Sequence, residues 1–146
     1  MKKLIFLAVI FGCSMCGNAS YAQVSVNFNV SQQPVWGPTG YDFVDYYYLP
    51  DIGAYYNVPT HQYTYWEDNK WTTVNTLPAR YANFDLFAAH KVVLNQSNEP
   101  WLHDDEYKSK YAVYLGKHDQ QAIRDSHEEK YWENPDHPEH GKWHKH

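Results

Sequence analysis

The sequence predicts a mainly β fold with a minor helical part: a small antiparallel meander sheet of about five or six strands, one helix and a disordered, His-rich C-terminal tail. Three observations support this. Residues 43–75 contain seven tyrosines and two tryptophans, cut into short runs by Pro, Gly, Asp and Asn, which is typical of short strands joined by turns. Residues 98–116 show helical spacing of apolar residues. After residue 117 the chain becomes polar, charged and rich in histidine, as disordered segments are.

The first 22 residues have the features of a secretory signal peptide. Two lysines precede an apolar stretch from Leu4 to Phe11, and Ser20-Tyr21-Ala22 fits a cleavage site before Gln23. The apolar stretch is shorter than the roughly 20 residues that a spanning helix needs. We therefore expect export to the periplasm or the cell exterior. Lipid attachment to Cys13 is the less favoured alternative, because the bulky Phe11 fits a lipobox poorly.

Cleavage after Ala22 would leave 124 residues, enough for one domain, which we divide into a Tyr-rich β domain (23–116) and a tail (117–146). Both cysteines, Cys13 and Cys16, would be lost, which excludes disulfides and thiolate sites. Two of the 12 basic residues and none of the 17 acidic ones would be lost as well, which leaves a formal net charge of −7. That charge disfavours binding to nucleic acid or to anionic membranes. No later apolar run is long enough to span a bilayer.

The strands follow from alternation and turn residues. Val24 to Val30 alternates apolar and polar residues and predicts a half-buried strand. The meander that follows is predicted to contain four strands, at Phe43–Leu49, Ala54–Val58, Gln62–Trp66 and Trp71–Asn75. Glu67 to Lys70 would form a four-residue polar hairpin loop. If that hairpin closes symmetrically, Trp66 and Trp71 lie opposite each other across the strand ends.

The rest of the chain gives weaker patterns. Lys91–Asn95 is β-branched and predicts a fifth strand. A helix is expected to begin near Pro100, which suits a first turn, and to end at Gly116. A strand at Lys110–Leu115 is the alternative. Residues 119–132 could form a short charged surface helix, and beyond Pro135 we expect no fixed structure.

Six of the nine histidines lie in the final 29 residues. His137, His140 and His144 are spaced to share one helix face, and His146 is placed to chelate with His144 from an extended chain. Imidazole is a common ligand for Zn, Cu and Ni, so these four histidines are the candidate site for a divalent metal. The alternative is a solvated polar tail, because composition alone carries this assignment.

The Tyr-rich strands form a second candidate site. Tyr and Trp pair an apolar ring with a polar tip and give rigid contact area, so exposed rings could bind a glycan or a peptide. The candidate ligand-binding residues are Tyr63, Tyr65, Trp66 and Trp71. The alternative is that the rings build the core, since aliphatic residues are scarce in this stretch.

No catalytic signature is present, so we predict that the protein is not an enzyme. His103-Asp104-Asp105-Glu106 lacks the glycine and alternating oxygen ligands of a calcium loop and suits the first turn of a helix. Asp125-Ser126-His127 contains the residue types of a catalytic triad. Adjacent residues cannot form the relay, however, and no nucleophile elbow surrounds Ser126.

Two stretches resemble a known group of proteins. YYYLPDIGAYYNV (Tyr46 to Val58), together with TYWEDNKW downstream, resembles a Tyr-rich segment of small secreted proteins of Bacteroidota-type Gram-negative bacteria. IRDSHEEKYWENPDHPEH (Ile123 to His140) resembles the low-complexity tails of such chains. The resemblance implies export and a meander-type β fold. It assigns no catalytic or ligand residue.

Together these features predict a non-enzymatic exported envelope protein that binds divalent metal through its His-rich tail. The first alternative is a glycan- or peptide-binding module that uses the rings of the meander. The second is a structural or assembly protein of the cell surface, whose open edge strand pairs with another envelope protein.

Overall fold

The computed structural model describes residues 28–95 and 98–142, and its centre is a five-stranded antiparallel sheet. The strands are β1 Tyr46–Leu49, β2 Ala54–Asn57, β3 Gln62–Glu67, β4 Lys70–Val74 and β5 Val92–Leu94. Their order in the sheet is β4-β3-β2-β1-β5. The predicted mainly β meander is thereby confirmed, and each observed strand lies within about two residues of a predicted one except at the start of β1.

The β3–β4 hairpin is tighter than predicted. Glu67 pairs with Lys70 inside the ladder, so the turn contains only Asp68 and Asn69. Both have positive φ, at 50° and 61°. This is the pattern of a type I′ turn, whose twist matches that of the flanking strands, and Asn and Asp tolerate it better than other residues with a side chain. The same register places Trp66 directly opposite Trp71, as predicted.

The first face of the sheet is covered by loops. Tyr47 at its centre is fully buried, and its ring packs against Trp36, with the centroids 5.6 Å apart. A Cβ at Gly37 would lie 2.8 Å from the Tyr47 hydroxyl oxygen, so this approach requires glycine. The other buried residues of this face are Val44, Leu49, Ala54, Tyr56, Val58, Tyr63 and Tyr65. Tyrosine rings therefore supply most of the buried volume.

The second face is covered by a short helical segment. It contains a 3₁₀ turn at Pro100–His103, the helix α1 at Asp104–Tyr111 and a 3₁₀ turn at Ala112–Tyr114. The segment begins at Pro100 as predicted, and the alternative strand at Lys110–Leu115 is wrong. Its rings pack on those of the sheet: Tyr107, Tyr111, Tyr114 and Trp101 contact the cluster of Tyr46, Tyr48, Tyr55, Val92 and Leu94.

Two further predictions need correction. Residues 24–27 of the predicted first strand lie outside the described residues, and Val30 begins a 3₁₀ turn, Val30–Gln32, rather than ending a strand. Residues 119–132 form no α-helix. Short 3₁₀ turns occur there at Ile123–Asp125 and Glu129–Glu133, and another occurs at Ala79–Tyr81.

The C-terminal segment, residues 117–142, packs on the domain; the prediction of no fixed structure concerns the residues beyond Pro135, of which 143–146 lie outside the described residues. Residues 121–124 run antiparallel to residues 35–39, where the Ile123 amide donates to the Gly37 carbonyl at 2.8 Å and the Arg124 amide donates to the Val35 carbonyl at 2.8 Å. Ile123 and Tyr131 are fully buried and form a small cluster with Val30. The sequence hides this packing because the few apolar residues lie among many charged ones.

We expect Ile123→Ala to lower the free energy of unfolding by about 2–4 kcal/mol, because it removes a fully buried side chain and leaves a cavity. The matched control is Val113→Ala, which shortens an exposed side chain and should change stability by less than about 0.5 kcal/mol. Urea unfolding followed by circular dichroism measures both. Equal stability of the two variants would show that the C-terminal segment does not pack on the domain.

Candidate functional site

A surface groove of about 620 Å³ lies where the β3–β4 hairpin meets the start of the helical segment. Three tryptophans, Trp66, Trp71 and Trp101, form part of its wall. The remaining lining residues are Leu102, His103, Asp104, Asp105, Glu106 and Lys108. The groove is the one place on the Tyr-rich meander, within the described residues, where an aromatic side chain of a strand is exposed.

The hairpin positions the first two tryptophans. Trp66 is 50% exposed, and its ring meets Trp71 edge to face, with centroids 5.3 Å apart. Trp71 in turn packs against the buried Tyr55 at 5.8 Å, and Trp101 packs against the same ring at 6.3 Å. Edge-to-face packing of this kind is favourable for aromatic rings. Tyr55 therefore holds the two inner tryptophans in fixed orientations, while Trp66 remains open to solvent.

A hydrogen-bonded carboxylate anchors the floor of the groove. Asp104 is buried, accepts a hydrogen bond from the Tyr55 hydroxyl at 2.8 Å and pairs with Lys108 Nζ at 2.6 Å. Burial raises the pKa of Tyr55, and the hydrogen bond to Asp104 raises it further. The hydroxyl thus stays protonated and donates at physiological pH, which ties the helix to the centre of the sheet.

The outer wall of the groove is acidic. Asp105 and Glu106 follow Asp104 in the first turn of α1 and are exposed. In the part of the chain that the structure describes, neither carboxylate forms an ion pair. These two groups can therefore accept hydrogen bonds from a bound molecule.

The four predicted ligand-binding rings do not lie together. Trp66 and Trp71 line the groove, but Tyr63 and Tyr65 are buried on the opposite face of the sheet. The Tyr65 hydroxyl donates to Glu67, and the Arg80 guanidinium lies 4.8 Å from its ring centroid. Tyr63 and Tyr65 are thus core residues and not part of an exposed binding surface.

Sequence reasoning missed Trp101. It directly follows Pro100, at the point where the helix was predicted to begin, so a tryptophan in a first helical turn was the available signal. The sequence does not show how this turn is oriented relative to the sheet. In the structure that orientation brings Trp101 into contact with Tyr46 and Tyr55.

The candidate metal ligands of the tail have other contacts. His137 is only 4% exposed; its Nε2 lies 3.1 Å from the Ile123 carbonyl, and its Nδ1 accepts from the Glu139 amide at 3.0 Å. His140 Nδ1 lies 2.9 Å from the Trp132 carbonyl. The segment forms successive turns instead of a helix, so the predicted helical spacing does not apply. His144 and His146 lie outside the described residues.

Across residues 28–95 and 98–142, no group of three or more His, Cys, Asp or Glu side chains is arranged to hold a metal ion. Within the same ranges, no helix has the length and apolar character needed to cross a membrane. Comparison of the chain with protein-family models, with curated proteins and with solved structures gave no match.

Lys91 is a buried amine outside the groove. It is 1% exposed, and its Nζ donates to the Phe87 carbonyl at 3.1 Å. Burial lowers the pKa of Lys91 to about 8, and the nearby Asp85 carboxylate opposes that change. The backbone of Lys91 is held as well, since its amide donates to Gln120 Oε1 at 2.8 Å and its carbonyl accepts from Gln120 Nε2 at 2.9 Å.

We expect His137→Ala to lower the free energy of unfolding by about 1–3 kcal/mol, because it leaves a buried carbonyl and a backbone amide without their partner. His118→Ala, at an exposed position, is the control and should have little effect. Chemical denaturation in the presence of a chelator measures both. A side chain that serves only as a metal ligand would leave the stability of the metal-free protein unchanged.

A second prediction concerns pH. The pKa of Lys91 in the folded state, about 8, lies below its value of about 10.4 in an unfolded chain, so the unfolded state binds the proton more tightly. The contribution of Lys91 to the free energy of unfolding therefore rises with pH between about 8 and 10 and is lower at neutral pH. Lys91→Met should be more stable than the wild type at pH 7, by about 1–2 kcal/mol, and this difference should narrow by pH 9.5.

Urea unfolding at several pH values measures that difference. Lys117→Met, which removes an exposed charge, is the control and should show a difference that does not depend on pH. A constant difference for Lys91→Met over the same range would contradict the assignment of the pH dependence to this amine.

Proposed function

We propose that this domain is a non-enzymatic glycan-binding module of an exported protein, and that the groove lined by Trp66, Trp71 and Trp101 is its binding site. The observation that carries the proposal is the half-exposed ring of Trp66 beside two fixed, partly buried tryptophans, in a sheet whose tyrosines are all buried. A groove lined by aromatic side chains together with a few polar groups has the composition typical of a ligand-binding site.

The chemistry of the groove suits a sugar. One side of a pyranose ring presents mainly C–H groups, which pack on a flat aromatic face, while its hydroxyls need hydrogen-bond partners. Asp105 and Glu106 line the same groove as the tryptophans, and within the described residues their carboxylates form no ion pair. An apolar wall with a few polar acceptors supplies both kinds of contact.

The groove is also fixed before a ligand arrives. Trp71 and Trp101 pack on Tyr55, whose hydroxyl is bound to Asp104, and Asp104 is paired with Lys108. Because these side chains are already ordered, binding has to immobilise mainly Trp66 and the exposed side chains of Asp105 and Glu106. A small ordering cost favours measurable affinity from a modest contact area.

The geometry favours the groove over the tail as the binding site. His137 and His140 are hydrogen-bonded to backbone groups, which argues against the tail as the main metal site. A role in assembly through the open edge of β4 has only that edge as support. Export rests on the signal-peptide features of residues 1–22 and forms part of the proposal.

We expect Trp66→Ala to weaken binding of a β-1,4-linked glucose hexamer at least tenfold, because it removes the exposed platform of the groove. Isothermal titration calorimetry measures the affinity. Tyr41→Ala, which truncates an exposed ring outside the groove, should bind like the wild type.

The fold should survive the Trp66 change, since the lost contact with Trp71 contributes about 0.2–1 kcal/mol. Thermal unfolding of the variant checks this. Equal affinity of the wild type and of Trp66→Ala for the glucose hexamer would overturn the proposed function. So would the absence of binding to the β-1,4-linked hexamers of glucose, N-acetylglucosamine and glucosamine alike.

A further inference from the structure

We infer that the preferred ligand is an oligomer of amino sugars with free, protonated amino groups. This inference rests on the proposed function and names the class of sugar that the same groove selects. It is carried by the joint presence, on one groove, of the half-exposed ring of Trp66 and of two carboxylates that form no ion pair within the described residues.

The charges of the groove do not balance. Lys108 is the one Lys or Arg side chain among its lining residues, and its Nζ is held 2.6 Å from Asp104. That pair is internally neutral. Asp105 and Glu106 remain, and neither meets a cation in the part of the chain that the structure describes. Two negative charges are therefore left facing a ligand.

A cationic ligand complements both features at once. An ammonium group is attracted by a carboxylate within a few ångströms, even at the effective dielectric of a protein surface. The face of an indole ring attracts the same group through its quadrupole, and among aromatic side chains tryptophan does so most strongly. A uronic acid or a sulfated sugar would instead meet repulsion from Asp105 and Glu106. The net negative charge of the chain acts in the same direction.

The decisive experiment compares three hexamers with the same β-1,4 linkage that differ only at carbon 2 of each ring. The substituent is a hydroxyl in the glucose hexamer, an acetamide in the N-acetylglucosamine hexamer and an amine in the glucosamine hexamer. Affinities are measured by calorimetry at one pH, chosen so that the amines are protonated. A single pH is used so that the charge of the groove is the same in all three measurements.

We expect the glucosamine hexamer to bind roughly fivefold more tightly than the glucose hexamer, since exposed charge pairs make small favourable contributions to binding. Raising the salt concentration should remove this preference by screening the charges, while it leaves binding of the neutral hexamer unchanged.

Asp105→Asn combined with Glu106→Gln should abolish the preference, because the amide oxygens can still accept hydrogen bonds from hydroxyls but carry no charge. The glucosamine hexamer should therefore lose more affinity than the glucose hexamer, and an unchanged ratio of the two affinities would contradict the inference. The control is Glu129→Gln combined with Glu133→Gln, which removes two exposed carboxylates outside the groove and should keep the preference. Thermal unfolding verifies that each double variant is folded.

The outcomes separate the two proposals. Equal affinity for the glucose and glucosamine hexamers, with both lost in Trp66→Ala, overturns the amino-sugar inference and leaves the glycan-binding function standing. Binding of hexalysine as tight as that of the glucosamine hexamer, and equally dependent on Trp66, overturns the sugar class in favour of basic peptides. Failure of all three sugar hexamers to bind overturns the proposed function itself.

Discussion

The constraint on which this structure depends is that a core built from tyrosine brings hydroxyl groups inside together with the rings. An unpaired buried hydroxyl costs free energy, so each ring requires a polar partner at its tip. The Tyr47 hydroxyl donates to Gln33, that of Tyr46 to the Asn98 carbonyl, and that of Tyr55 to Asp104. These partners lie in the loop before β1, just before the helical segment and in helix α1. The hydrogen bonds therefore join the sheet to the segments that cover its two faces.

The same principle explains the histidines of the C-terminal segment. In a segment with few aliphatic residues, packing depends on side chains that are partly apolar and can also satisfy backbone groups. His137 does both, since its buried ring lies between the Ile123 carbonyl and the Glu139 amide. Asn134 acts similarly and donates to the Gln33 carbonyl. A histidine-rich composition here marks a polar packing interface, although the same composition is typical of a metal-binding tail.

Turn residues and short strand patterns predicted the sheet well, but no feature of the sequence indicated which distant segments pack together. Pro, Gly and Asn delimited the strands, and the Asp68-Asn69 turn fixed the register that places Trp66 opposite Trp71. Two of the three tryptophans of the groove, Trp66 and Trp71, could be placed together from that register. The rest depended on which sheet face each ring occupies and on how Trp101 is directed, both set by packing between distant segments. The docking of residues 117–142 escaped prediction because Ile123, Tyr131 and Trp132 are scattered among charged residues.

The packing of the C-terminal segment, residues 117–142, on residues 33–42 has a consequence for the order of folding. The hairpins from β1 to β4 join neighbours in sequence, so they can form early and at a small cost in loop closure. The hydrogen bond from the Gly40 amide to the Tyr131 hydroxyl, by contrast, spans 91 residues. A chain that emerges from a ribosome or a translocation pore with its N-terminus first therefore cannot complete this packing until the segment around Tyr131 has emerged. Until then Val30 and the polar atoms beside it stay uncovered, and the unfinished domain is open to chaperones and to proteases.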